Sequence, residues 1–71
     1  MPSKKLYLAI IPVPDRGKVI ELRRQLNHRF LHGNLDGRDY AIAVHVDQAM
    51  LDLLFTGQED VRKRSRVFRL K

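Results

Sequence analysis

The sequence has no cysteine and no tryptophan, and Ser3, Thr56 and Ser65 are its only hydroxyl side chains besides tyrosine. Without cysteine there is no disulfide framework and no thiolate metal site, which fits a reducing cytoplasm. So few hydroxyls leave little for nucleophilic catalysis, which needs a nucleophile, a base and a group orienting the base. Ser3 lies near the chain start, Ser65 lies among arginines, and no histidine has a hydroxyl at a recognisable spacing. Glycine-rich phosphate loops are missing too: Gly33 and Gly37 are not followed by Lys-Ser/Thr. No run approaches the ~18 apolar residues of a membrane span. The basic start and the apolar run from Leu6 to Val13 end in Pro-Asp-Arg rather than a small-residue cleavage site, so that run reads as a strand and not as a signal peptide. These absences point away from an enzyme, a cofactor, a metal and a membrane.

The chain has 71 residues, room for one domain spanning 1–71 and one core. Chains of this size bury only about 60% of their unfolded surface and are marginal unless something pairs or staples them. An apolar content of 44% suits a folded domain and argues against disorder. There is no internal repeat or low-complexity tract.

Charge is the strongest compositional signal, with fourteen Lys and Arg against eight acids, net +6. Residues 1–35 carry +5, residues 36–57 carry −3, and residues 58–71 carry +4. Such blocks favour a polyanion or an acidic protein surface as partner, although many small domains carry charge for solubility alone.

The first strand, Leu6 to Val13, is closed by Pro12 and Pro14. Asp15 can cap a helix. Over residues 18–30, Val19, Leu22, Leu26 and Phe30 recur at spacings of three and four and predict an amphipathic helix. Residues 32–39 hold two glycines, an Asn and two Asp, and read as a loop. Then Tyr40, Ile42, Val44 and Val46 alternate with Ala41, Ala43 and His45, which predicts a strand with one buried face. Residues 47–56 suit either a helix capped by Asp47 or a strand ending at Gly57. In residues 58–71, Glu59 and Asp60 resemble a helical first turn, while Val67, Phe68 and Leu70 spaced by Arg66, Arg69 and Lys71 suit a basic edge strand. The expected architecture is α+β, a small sheet of two or three strands packed on one main amphipathic helix, in a β-α-β-β-α-like order.

Two constellations invite chemistry. His28 and His32 lie four apart, as zinc pairs do, but no third ligand accompanies them, and histidines near a helix C-terminus explain them better. Asp36, Asp39, Asp47 and Asp52 lack calcium-loop spacing and read as turn formers and caps. The basic segment 58–71 carries more weight. Arg62, Lys63, Arg64, Arg66, Arg69 and Lys71 concentrate six charges in ten residues. Phosphate would release counterions from such a patch and give salt-dependent binding. If this segment is helical, Arg62, Arg66 and Arg69 share a face, and Arg23 and Arg24 extend the positive surface from the first helix. The five aromatics are too few to make a stacking platform for single strands evident.

The string Glu21-Leu22-Arg23-Arg24-Gln25-Leu26-Asn27-His28-Arg29-Phe30 resembles the helix of DinI-like proteins, roughly Glu-Leu-x-x-Arg-Leu-x-x-x-Phe, with Gln25 in place of the Arg. The strand before it is similar in placement. Leu53-Leu54-Phe55-Thr56-Gly57 resembles that family's later strand, and residues 59–64 its charged second-helix start. The resemblance implies a β-α-β-β-α protein of enterobacteria, their phages or plasmids that modulates the RecA filament. The family's second helix is acidic and imitates DNA. Here the tail is basic and without tryptophan, so it would touch DNA or an acidic protein instead. The first strand also resembles that of two-histidine phosphoesterases, but their paired His-x-Thr/Ser motifs are missing. The expectation is a small non-enzymatic regulatory protein of phage or plasmid type. It would act on a host nucleic-acid machine, a RecA filament or a polymerase, or bind DNA or RNA phosphates directly. The residues for either role are Arg23, Arg24, Arg62, Lys63, Arg64, Arg66 and Arg69, and a homodimer is among the partner states left open.

Overall fold

The computed structural model describes residues 5–70. The elements follow as β1 (Leu6–Val13), α1 (Arg16–Leu26), β2 (Leu31–Leu35), β3 (Arg38–Val46), α2 (Gln48–Phe55), α3 (Glu59–Arg64) and β4 (Arg66–Leu70). The strands form one antiparallel sheet in the order β2-β3-β1-β4. A β-α-β unit split by an intervening strand and continued to a fourth strand is the ferredoxin-like arrangement. This enlarges the sequence expectation: four strands rather than two or three, and three helices rather than one.

Local chemistry explains most boundaries. Asp15 caps α1 by accepting from the Lys18 amide at 3.1 Å, and Asp47 caps α2 by accepting from Met50 at 2.9 Å. The helix expected over 18–30 stops at Leu26, because Asn27 adopts a left-handed conformation (φ 47°) that ends the turn. Val19, Leu22 and Leu26 keep the predicted stripe. Phe30 reaches the core from the lead-in to β2 instead. Arg23 fixes that lead-in by donating Nε–H to the Phe30 carbonyl at 2.8 Å.

The expected loop at 32–39 is a hairpin. Asp36 and Gly37 both have positive φ (53° and 78°), the requirement of a two-residue turn whose twist matches its strands. Residues 48–55 are helical, so the Leu53-Leu54-Phe55 string closes a helix rather than a strand. Residues 58–71 contain both alternatives in succession, a one-and-a-half-turn helix and then an edge strand. Lys71 and the basic start at Lys4 lie outside the described residues.

The helices cover one face of the sheet. Ala9, Ile11, Ala41, Ala43 and Val46 from the strands meet Val19, Leu51 and Leu54 from the helices, with Phe30 fully enclosed. The alternation of β3 therefore divides differently from the expectation. Ala41 and Ala43 are the buried members, and Tyr40, Ile42 and Val44 turn to the helix-free side. Val46 returns to the core through a bulge, in which Val44 and His45 together oppose Leu8. His45 takes φ 60° there, and His28 donates to the Val44 carbonyl at 3.3 Å, bracing it. Methyl-sized side chains under the helices let the two layers approach, and larger ones fill the gap from Phe30 and Val19.

Candidate functional site

Two surfaces stand out once the fold is in place. The first is basic. α3 ends in Arg62, Lys63 and Arg64, and one residue later β4 begins with Arg66. Ser65 makes this tight junction: it is buried, and its hydroxyl donates to the Val61 carbonyl at 2.6 Å. Arg62 lies over the Phe55 ring, 5.6 Å from its centroid, a cation–π contact that orders its stem. Arg64 Nε donates to the Asp60 carbonyl at 3.4 Å. Among the described residues the ion pairs are Lys18–Glu21 and His32–Asp39, so Arg62, Lys63, Arg64, Arg66 and Arg69 have no carboxylate partner.

These five cations gather around one edge of the sheet. They do not share one face, as a continuous helix would have required. β4 is a strand, so Arg66 opposes Ile10 on the helix-free side and Arg69 opposes Tyr7 on the helix side. Arg23 and Arg24 lie on α1, and Arg23 is held at the opposite edge by its bond to Phe30, beside β2. Three strand spacings, roughly 14 Å, separate the two edges. The structure thus sets Arg62, Lys63, Arg64, Arg66 and Arg69 along the α3–β4 segment, with Arg66 and Arg69 on opposite faces, and keeps Arg23 and Arg24 apart from them on α1.

The second surface was not anticipated. The helix-free face is built from Leu6, Leu8, Ile10 and Pro12 of β1; Arg38, Tyr40, Ile42 and Val44 of β3; Leu31, Gly33 and Leu35 of β2; and Arg66, Phe68 and Leu70 of β4. It carries no carboxylate, and its arginines are Arg38 and Arg66. Phe68 is 48% exposed and Leu35 65%. Gly33 lets Ile42 lie across β2, since a Cβ there would come within 2.9 Å of the Ile42 Cδ1. Beside it, Ile10, Tyr40, Ile42, Leu35, Arg64 and Arg66 frame a shallow depression of about 540 Å³. The signal in the sequence was β1 itself. Eight successive apolar residues mark a strand meant to be covered on both faces, and the helices cover one.

His32 and Asp39 serve structure. His32 Nε2 donates to Asp39 Oδ1 at 2.7 Å and Asn34 Nδ2 donates to the same oxygen at 3.0 Å, locking β2 to β3. The Asn34 bond, then the His32 bond, hold the Asp39 carboxyl below its usual range. His28 and His32 fall on different elements, and among the described residues no group of three or more His, Asp or Glu could hold a metal ion. Nor is any helix of the described residues long and apolar enough to cross a membrane.

Comparison with protein-family models, with curated proteins and with solved structures finds no match to this chain. The DinI-like resemblance rests on the strings quoted above.

Proposed function

We propose that this chain is a non-catalytic regulatory protein that acts on a nucleic-acid machine by setting its α3–β4 arginines on the phosphate backbone. The supporting observation is the run of five cations at one sheet edge with no carboxylate partner among the described residues. Phosphates would replace only water and counterions there, so binding is electrostatic, indifferent to sequence and salt-dependent. On the DinI-like resemblance the machine is a RecA filament or a polymerase of the host, approached through its nucleic acid rather than by imitation of it.

The test is binding of labelled duplex DNA across a salt series. Each phosphate contact contributes about 0.9 to the slope of log affinity against log salt. Replacing Arg62, Lys63, Arg64 and Arg66 together by Ala flattens that slope by up to roughly 3.6. Absence of any complex at low salt rejects the reading.

A second reading has its own observation. A groove of about 430 Å³ runs between α1 and the α2–α3 pair, lined by Leu22, Leu26, Leu53 and Val61 with Lys18 and Arg64 at its rim. That chemistry suits an acidic, apolar segment of a protein in the same machine. Pull-down from host lysate with and without nuclease separates the two. Recovery lost with nuclease supports the phosphate reading. Recovery that survives nuclease and is lost with Leu53→Asp supports the groove.

A further inference from the structure

We propose that the helix-free sheet face is where a second copy of this chain packs, making a dimer whose two sheets stack with the helices outward. Apolar side chains on that face come from all four strands: Leu31 and Leu35, Tyr40, Ile42 and Val44, Leu6, Leu8, Ile10 and Pro12, Phe68 and Leu70. The face carries no carboxylate; Arg38 and Arg66 stand among its apolar side chains, and Arg64 and Arg66 line the depression beside Ile10 and Ile42. Aromatic and arginine side chains set among apolar ones, without carboxylates, are the composition of an interface core.

Size fits. Fourteen outward positions, each standing on roughly 4.8 by 6.7 Å of sheet, cover some 450 Å² in flat projection. The accessible area of interlocking side chains exceeds its projection, which brings the face near the ~600 Å² per partner at the lower end of stable interfaces. It also lies within the range of the largest apolar patch on a monomer, about 300–600 Å², and such patches are often functional.

The occupant follows from what the fold itself lacks. The enclosed core is thin: three of its nine members are alanines. The face left open holds larger apolar side chains than the one that is covered. A chain this small needs added burial to be stable, and it needs that cover whenever it is folded. A second copy is the cover that is always present in the right amount. Two sheets packed face to face at about 10 Å interdigitate such side chains, and a two-fold pair uses the same patch twice. The pairing leaves Arg62 and Lys63 of each protomer outside, on α3.

The inference does not depend on the nucleic-acid reading, and its first measurement contains no nucleic acid. Sedimentation equilibrium of the full chain at micromolar concentration is expected to give twice the 8.3 kDa chain mass. Ile42→Glu and Phe68→Glu weaken the pairing at least about thirtyfold, the scale of losing an interface hot spot. Ile20→Glu, on the exposed side of α1, leaves it unchanged. Should the Glu variants fail to fold, the wild-type protein still decides, because the Tm of a dimer rises with protein concentration. A chain that stays at 8.3 kDa near ~100 µM, with a Tm independent of concentration, overturns the proposal. So does a dimer indifferent to both face variants that fold, or a monomer whose face amides gain exchange protection only with DNA or an acidic protein.

Discussion

The helix side of this sheet is lined by Ala9, Ile11, Ala41, Ala43 and Val46, three of them alanines, and the opposite side by Ile10, Tyr40, Ile42, Val44 and Phe68. Both sets come from the same strands, one residue out of step. The buried side is thus the one with the smaller side chains. Covering by helices requires room for the helices, and alanine provides it; the bulkier set is left to meet whatever arrives from outside. Hydrophobicity alone does not tell which face of a strand the chain covers for itself. Side-chain volume does.

The largest test of that contrast is truncation of one phenylalanine from each side. Phe30 is fully enclosed, and Phe30→Ala is expected to cost about 3–5 kcal/mol by denaturant unfolding, which leaves little of a small domain's stability. Phe68 lies on the open face, and Phe68→Ala is expected to cost under about 1 kcal/mol in dilute protein. If the two costs converge as concentration rises, the open face is covered by association. If they are equal in dilute protein, the two faces do not differ as described.

Overpacking gives a second, smaller contrast. Ala41→Leu inserts bulk between sheet and helices and is expected to cost about 1–3 kcal/mol. Val44→Leu adds one methylene where the helices do not reach and is expected to stay within about 0.5 kcal/mol. A tolerated Ala41→Leu would mean that the layers are not in close contact. Smaller again is the hairpin that joins β2 to β3. Gly37 has φ +78° with nothing near its absent side chain, so Gly37→Ala is expected to cost about 1 kcal/mol through backbone conformation alone.

Much of the fold could be read from residues with a local duty. Asp15 and Asp47 announced their helices, the stripe of Val19, Leu22 and Leu26 fixed which side of α1 is buried, and the basic cluster of residues 62–69 was visible as composition. What escaped was decided by contacts distant in sequence. Asn27 is a residue type that ends helices left-handed, but nothing in residues 27–30 shows that Phe30 is thereby freed to enter the core beside Arg23. The Asp36-Gly37 pair did carry a hairpin signal, masked by the polar His32 and Asn34 that make β2 an unusual strand. The tail read as helix or as strand because it is one and then the other, and the switch at Ser65 depends on burial. The arginines of that tail were legible as charge but not as geometry. Strand pairing sends Arg66 and Arg69 to opposite faces, and a sheet's width separates them from Arg23. The open apolar face was missed because alternation in β3 was taken to mean one face for the core and one for water.

The smallest expected effect concerns that polar hairpin, where side-chain hydrogen bonds join β2 and β3 in addition to the ladder. Asp39 accepts from Asn34 and His32, and both bonds favour its ionised form, so its pKa in the folded chain lies below the unfolded value. The sign follows: the unfolded chain takes up the proton first as pH falls. The contribution of Asp39 is complete above the unfolded pKa, declines as pH drops below about 4, and is gone below the folded pKa. Asp39→Asn removes that charge, so the stability of the variant is expected to vary less than the parent's between pH 5 and pH 2. Urea unfolding at a series of pH values measures it. Because the site is open to water, the difference is modest, and it is confined to the hairpin edge. The open face carries no carboxylate and no histidine among the described residues, and its contribution is expected to stay level over the same range. An equal acid loss in the parent and in Asp39→Asn would place the pH dependence elsewhere in the molecule and leave the hairpin held by backbone pairing alone.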